Sequence, residues 1–221
     1  MQRLVLFDLD NTLVDRQGTL REWVVDFTAR HRLGGKAQQE LLDLIGDRAY
    51  PSSFEEVRMR YGLTSTADAL WRSYCADIAA MVSCPADVLT GLDELRGRGW
   101  RIGIATNGAT DIQTAKLRAT GIHSRVEGIC ISEEVAARKP QQEHFAQAAA
   151  RCGTTLSAGG WMIGDNPVND IGGGRAAGLG TIWIANGAAW PADLPEPDHR
   201  VQHTRAAFEL LLSDSATRST T

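Results

Sequence analysis

Two aspartates, Asp8 and Asp10, come directly after the apolar run Leu4-Val5-Leu6. The run predicts a buried strand, and residues two apart in a strand face the same way, so both carboxylates crowd the end of that strand. Like charges this close need a cation or a shared proton nearby. An acidic surface turn is the alternative at this stage. A calcium loop fits poorly, because the sixth position counted from Asp8 is Leu13 instead of glycine and the twelfth is Thr19 instead of glutamate.

Further polar residues follow three later strand-like segments. Thr106 and Asn107 end the first of these segments. The second runs into Ser132, and Lys139 comes seven residues after that serine. Asp165 follows the third segment, with Asp170 close behind. Taken singly, these residues could be an Asn-Gly turn, a solvated lysine, a loop and a helix cap. Their recurrence at successive strand ends makes a common site the better interpretation, because ligands bind at the carboxyl ends of parallel strands.

Several carboxylates with one ammonium and a hydroxyl suit phosphate chemistry once a cation is present. Mg²⁺ prefers oxygen ligands and typically uses one or two carboxylates together with a substrate phosphate, and Asp8 and Asp165 suit that role. A carboxylate can act as nucleophile and form an aspartyl-phosphate. A second carboxyl group can protonate the leaving oxygen and later activate water.

The elements that position these residues predict an α/β fold, a parallel sheet core with helices on both faces and an inserted all-helical domain. More than 90 residues separate the first strand from the next strongly apolar one at 100–106, and residues 16–87 show helical periodicity. We therefore expect a catalytic core formed by residues 1–15 and 88–212, a helical insertion at 16–87, and a disordered polar tail at 213–221.

Bulk composition narrows the possible partners. The chain has 221 residues and a net charge of −4 with no basic block, so nucleic acid is an unexpected partner. No apolar stretch approaches the length of a membrane span, and the N-terminus has no signal-peptide pattern. The four cysteines show no CxxC spacing and are expected to be reduced. We expect a cytoplasmic protein that acts on a small molecule, as a monomer or homodimer.

The chain resembles the haloacid dehalogenase-like (HAD) hydrolase superfamily in four motifs that span most of its length. The matching segments are Asp8-Leu9-Asp10-Asn11-Thr12-Leu13-Val14-Asp15, Thr106-Asn107, Arg138-Lys139-Pro140, and Gly164-Asp165-Asn166-Pro167-Val168-Asn169-Asp170 followed by Gly174-Arg175-Ala176-Ala177-Gly178. The resemblance implies a Rossmann-like parallel sheet core, and it implies that the helical insertion is a cap that closes over the site.

The resemblance also implies a role for each motif residue. Asp8 would be the nucleophile and a Mg²⁺ ligand, and Asp10 the acid/base, with its backbone carbonyl also reaching the metal. Asp165 and Asp170 would complete the metal site, Asp170 directly or through water. The phosphoryl oxygens would be held by Thr106, Asn107 and Lys139. One departure is Asn11, where glycine is commoner in the family; asparagine tolerates unusual backbone angles, so we expect activity to be retained.

Three alternatives to a phosphatase are open to different degrees. Dehalogenase relatives lack the second aspartate, so Asp10 argues against dehalogenation. A phosphomutase would use the same aspartates and is not separable by sequence. A catalytically silent, partner-binding relative is disfavoured because no site residue is missing. Substrate choice would lie with the cap, whose candidate residues are Arg16, Arg21, Trp23, Arg58, Arg60, Tyr61 and Trp71, most of them better explained by packing or solvation.

Overall fold

Six parallel strands form the central sheet of the protein. The structure is a computed structural model that describes residues 3–217, with side chains described through residue 213. The order is β3-β2-β1-β4-β5-β6, and every neighbouring pair is parallel. The strands are β1 (Arg3–Phe7), β2 (Trp100–Thr106), β3 (Gly128–Ile131), β4 (Trp161–Gly164), β5 (Gly180–Ile184) and β6 (His199–Val201). Because all strands run the same way, their carboxyl ends share one edge, with β1 near the middle. The predicted α/β fold with a Rossmann-like sheet is confirmed.

Helices follow the strands and fill the insertion between β1 and β2. The insertion contains α1 (Arg16–Arg30), α2 (Ala37–Ile45), α3 (Pro51–Arg60) and α4 (Ala67–Met81). The other helices are α5 (Ala86–Gly97), α6 (Thr110–Ala119), α7 (Ser132–Val135), α8 (Gln142–Arg151), α9 (Gly173–Ala176) and α10 (Thr204–Thr217), with a π-helix at Pro167–Gly172 and 3₁₀ turns at Ile122–Arg125 and Leu156–Ala158. The crossovers between strands are thus mostly helical, as parallel pairing requires.

The inserted helices have an aromatic core of their own. Trp23 stacks on Phe27 with ring centroids 4.6 Å apart and meets Tyr74 edge-on at 4.9 Å. Helix α4 begins at a cap in which the Thr66 hydroxyl accepts a hydrogen bond from the Ala69 N–H, as expected for threonine before a helix. A second apolar cluster fills the sheet region and is built from other residues.

These separate clusters support the division that we propose, a core at 1–15 and 88–212 and a cap at 16–87. Helix α5 begins at Ala86, two residues before the proposed boundary, and its residues Val88 and Leu92 pack in the cluster of the sheet. The cap rests on the core through α6: the Trp71 indole N–H donates to Asp111 at 3.3 Å.

The C-terminal helix is longer than the sequence predicts. Helix α10 continues to Thr217, so the expectation of a disordered tail is wrong for residues 213–217. That segment contains no glycine or proline to end the helix, and the Ser213 hydroxyl donates back to the Leu210 carbonyl at 2.9 Å. The rest of the predicted tail, residues 218–221, lies outside the described residues.

Among the described residues 3–217, no single helix is long and apolar enough to cross a membrane. The pair formed by α4 and α5, bent by 83° at the break between them, meets the length and composition criteria together.

Candidate active site

Three carboxylates meet at the carboxyl edge of the sheet. Asp8 directly follows β1, Asp165 directly follows β4, and Asp170 lies in the π-helix that comes next. The Asp8 N–H donates to the Ile163 carbonyl at 2.9 Å, which ties the end of β1 to β4. Each of the three residues offers an oxygen within 4.8 Å of the others, and Asp8 and Asp170 are 7% and 1% exposed. The sequence-predicted carboxylate cluster is therefore present, with Asp10 outside it.

Lys139 is the cation of this cluster. Its Nζ donates to Asp8 Oδ1 at 2.6 Å and to Asp170 Oδ1 at 2.7 Å, and the residue is 2% exposed. The Asn107 side chain holds the Lys139 backbone on both sides, accepting from its N–H at 2.9 Å and donating to its carbonyl at 3.0 Å. Asn107 thus positions Lys139 in this structure, and its contact with phosphoryl oxygens stays a prediction.

The cluster has more negative charge than one ammonium can balance. Burial, with the neighbouring carboxylates Asp170, Asp165 and Asp10 adding to it, raises the pKa of Asp8 well above its ordinary value against the opposing charge of Lys139. Burial and the charge of Asp170 raise the pKa of Asp165 to about 6. The pKa of Lys139 is also raised, because the two carboxylates outweigh its burial. A set of oxygen ligands short of positive charge fits a hard divalent cation.

Asp10 is held apart from the cluster by a different set of partners. Lys116 Nζ lies 2.7 Å and 2.9 Å from its two carboxylate oxygens, and Gln113 Nε2 donates to Oδ2 at 3.2 Å. Arg16 of the cap comes within 3.8 Å of the same oxygen. Burial alone would raise the pKa of Asp10, but the charges of Lys116 and Arg16 outweigh it and lower the pKa below its ordinary value.

The turn between the two aspartates and the cap depends on Asn11. Its φ is 57°, in the left-handed region where glycine is usual and asparagine is tolerated. The Asn11 N–H donates to the Val14 carbonyl at 2.7 Å, and its side-chain oxygen accepts from the Gln17 N–H at 3.2 Å. Asparagine thus adopts the left-handed backbone conformation at this position, as expected.

A cavity of about 460 Å³ opens above these groups, between core and cap. The cap lines it with Arg16, Gln17, Tyr74 and the loop 46–49 between α2 and α3. Arg16 fixes this loop, since its guanidinium donates to the Gly46 and Ile45 carbonyls at 2.6 Å and 3.3 Å.

Among the cap candidates taken from the sequence, Arg16 alone lines this cavity within the described part of the chain. Arg21 lines a neighbouring cavity. Trp23 and Trp71 are core residues of the cap, whereas Arg58 and Arg60 form surface pairs with Glu55 and Glu56. Tyr61 donates to Glu40 at 3.0 Å. Packing and solvation thus account for most of the candidates, as expected.

Sequence reasoning missed Lys116, Gln113 and the loop 46–49. Lys116 and Gln113 share the buried face of α6 with Ile112 and Leu117. A lysine and a glutamine on an apolar helical face were the available signal, because such side chains are seldom fully buried without a partner.

Two aspartates follow a central strand of the parallel sheet, and a lysine and further aspartates lie near the ends of neighbouring strands. The family model described as haloacid dehalogenase-like hydrolase matches residues 5–184, and the chain belongs to this family.

Curated relatives and solved structures agree with the family. The chain is 34% identical over 117 residues to a phosphoserine phosphatase of Thermus thermophilus, a match that covers 53% of this chain and only 47% of that protein. It thus spans about half the length of that relative. It is 28% identical over 201 residues to a glyceraldehyde 3-phosphate phosphatase of Methanopyrus kandleri, covering 85% of each. A HAD phosphatase structure from Thermococcus onnurineus has a TM-score of 0.69 at 21% identity, over 96% of this chain and 98% of the other, and shares the fold.

Proposed function

We propose that the protein is a Mg²⁺-dependent phosphatase that hydrolyses a small phosphate monoester through an aspartyl-phosphate on Asp8. The observation that carries the proposal is the buried carboxylate cluster on Lys139, with Asp10 beside it under the cap cavity. Relatives named as phosphatases support the same activity. The binding partner would be a small phosphorylated metabolite, with no nucleic acid or membrane required, and a cytoplasmic monomer or homodimer stays our prediction.

The metal would be held by Asp8, Asp165 and Asp170, with the backbone carbonyl of Asp10 as a further ligand. When bound, Mg²⁺ would supply the positive charge that a phosphate dianion beside several carboxylates requires. Lys139 adds charge on the other side of the phosphoryl group, and the Thr106 hydroxyl donates to one of its oxygens. The role of Asn107 in phosphate binding is proposed on the resemblance, alongside its observed hold on Lys139.

Two steps follow from these positions. An Asp8 oxygen attacks phosphorus, the bond from phosphorus to the ester oxygen breaks, and the departing alcohol takes a proton from Asp10, which receives that proton from the monoanionic phosphate ester as it binds. Asp10 then takes a proton from a water molecule that attacks the phosphorus of the aspartyl-phosphate, which releases inorganic phosphate and restores both carboxyl groups. An ester oxygen needs a proton when it leaves, whereas a halide does not, so Asp10 suits the site to a phosphate ester.

The test is turnover of p-nitrophenyl phosphate with and without EDTA, beside the Asp8→Asn variant. We expect turnover that requires Mg²⁺ and is abolished in Asp8→Asn. Full activity in that variant, or activity unaffected by chelation, would overturn the mechanism. A screen of phosphorylated metabolites that includes a bisphosphate-dependent mutase assay then identifies the substrate and separates phosphatase from phosphomutase.

A further inference from the structure

Two of the three lysines in the chain are buried at the site, and each holds one of the two aspartates that follow β1. Lys139 binds Asp8, whereas Lys116, which is 4% exposed, binds Asp10. Lys116 reaches both carboxylate oxygens of Asp10, and its third partner is Gln113 Oε1 at 2.8 Å. The Lys116 ammonium therefore directs its donors to Asp10 and Gln113.

The same glutamine joins the acid/base to the phosphate-binding strand end. Gln113 Nε2 donates to Asp10 Oδ2 at 3.2 Å and to Thr106 Oγ1 at 2.6 Å. A threonine hydroxyl has one hydrogen and accepts through its lone pairs. Because Gln113 occupies an accepting position of Thr106, the hydroxyl hydrogen is left free to point at a phosphoryl oxygen.

We propose that Lys116 and Gln113 are positioning residues that hold the Asp10 carboxylate in line with the leaving oxygen and turn the Thr106 hydroxyl toward the phosphoryl group. This inference rests on the proposed function, because it assigns these residues a part in that reaction.

The geometry favours a positioning role over a purely structural one. An aspartate side chain can rotate about two bonds, and contact of one ammonium with both of its oxygens fixes that rotation. Helix α6 carries Lys116 and Gln113 and is itself held against the cap, since Ile112 packs in the aromatic cluster of the cap. A site built on a helix that is packed on both sides keeps its side chains close to the productive geometry.

Leaving-group dependence gives the first test, with Lys116→Met compared to the wild type. The p-nitrophenolate ion leaves without a proton, whereas phenolate from phenyl phosphate depends on the acid. Loss of the Lys116 charge raises the pKa of Asp10, so the variant does not lack protonated Asp10 and a lower kcat/KM reports lost positioning. We expect kcat/KM of Lys116→Met to fall about 10²-fold for phenyl phosphate and less than about threefold for p-nitrophenyl phosphate, in the range of general acid catalysis.

A burst of p-nitrophenolate gives a second readout in the same variant. Water activation by Asp10 is also slowed in this variant, so kcat for p-nitrophenyl phosphate should fall together with KM, and a burst should precede the steady state.

Lys116→Arg, whose planar fork also matches both carboxylate oxygens, should recover most of the loss. The matched control is Lys36→Met at an exposed cap lysine, which should behave as the wild type in every assay.

A double-mutant cycle with Asp10→Asn decides whether Lys116 acts through Asp10. In the Asp10→Asn background, Lys116→Met should cause no further loss of kcat/KM for phenyl phosphate. An equal loss for both esters, or independent losses in the cycle, would overturn the proposal. If Lys116→Met does not fold, Gln113→Met takes its place, with the same leaving-group pattern expected and the same outcomes against it.

Failure of this inference is distinguishable from failure of the proposed function. If the wild type hydrolyses neither ester, or if Asp8→Asn is fully active, the phosphatase proposal fails. If the wild type is active and dependent on Asp8 while Lys116→Met loses both esters equally, the positioning role alone fails.

Discussion

Gly164 is a position where one added methyl group should displace a carboxylate of the candidate site. It is the last residue of β4, and an added Cβ would stand 2.2 Å from Asp170 Oδ2 and 2.4 Å from its carboxyl carbon. Real Cβ atoms essentially never come closer than 3.0 Å to such an atom. In Gly164→Ala the Asp170 carboxylate must therefore move by about 1 Å, away from the 2.7 Å bond that it accepts from Lys139.

The expected effects follow from that displacement. A misplacement of about 1 Å costs about 10²-fold in rate, so we expect kcat/KM for p-nitrophenyl phosphate to fall by about that factor. Overpacking costs about 1–3 kcal/mol, and each kcal/mol lowers the melting temperature of a chain of this size by about 2–4 °C. The assays are steady-state kinetics and thermal unfolding followed by circular dichroism, both in Mg²⁺ and in EDTA.

Gly97→Ala is the matched control. Its added Cβ meets nothing within 4 Å, so activity should be unchanged and the melting temperature equal or slightly higher, because alanine restricts the unfolded chain more than glycine. Wild-type kinetics and melting temperature in Gly164→Ala would refute the geometry of the cluster. A loss of both properties in Gly97→Ala would instead point to a general sensitivity to alanine.

Three further predictions concern the charges of the site and of the fold behind it. The variant Lys139→Met leaves Asp8 and Asp170 without their cation, and loss of one partner of a buried ion pair costs about 3–5 kcal/mol. The melting temperature of this variant in EDTA should therefore lie well below that of Lys36→Met. Equal melting temperatures would contradict the ion pairs. Asp165→Asn should weaken Mg²⁺ binding in calorimetric titration at least about 10-fold, and unchanged affinity would remove it from the metal site. Burial lowers the pKa of His144 to about 4, so the unfolded chain binds a proton on this ring before the folded chain does as pH falls below about 6.5, and stability is lost toward pH 4. Between pH 7 and pH 5 the free energy of unfolding of the wild type should fall by about 2 kcal/mol more than that of His144→Gln. Identical pH profiles would show that the ring is not kept neutral.

The parts of the site that lie at strand ends could be predicted from the sequence. The end of an apolar run in the sequence marks the end of a buried strand, and in a parallel sheet the carboxyl ends of all strands lie at the same edge. Asp8, Asp165 and Lys139 were accessible by that rule, and the structure brings them together. The helical insertion followed from the length of chain between the first two strands.

Contacts that depend on three-dimensional packing were not accessible. Lys116 lies on α6, and its contact with Asp10, 106 residues away in the chain, forms only in the folded protein. The side chain of Asn107 binds Lys139 because a strand end and a loop 32 residues apart in the chain lie side by side. The end of α10 differs from the prediction because a polar sequence indicates disorder, whereas this one contains no residue that breaks a helix.

The central claim is that Asp8 carries the phosphoryl group, and trapping that intermediate tests it most directly. The Asp10→Asn variant, in which breakdown should be slow, is mixed with p-nitrophenyl phosphate and Mg²⁺, quenched in acid and reduced with borohydride, which converts an aspartyl-phosphate to homoserine. Peptide mass spectrometry should find homoserine at position 8. Homoserine at another position, or none while p-nitrophenolate is released in a burst, would contradict the account.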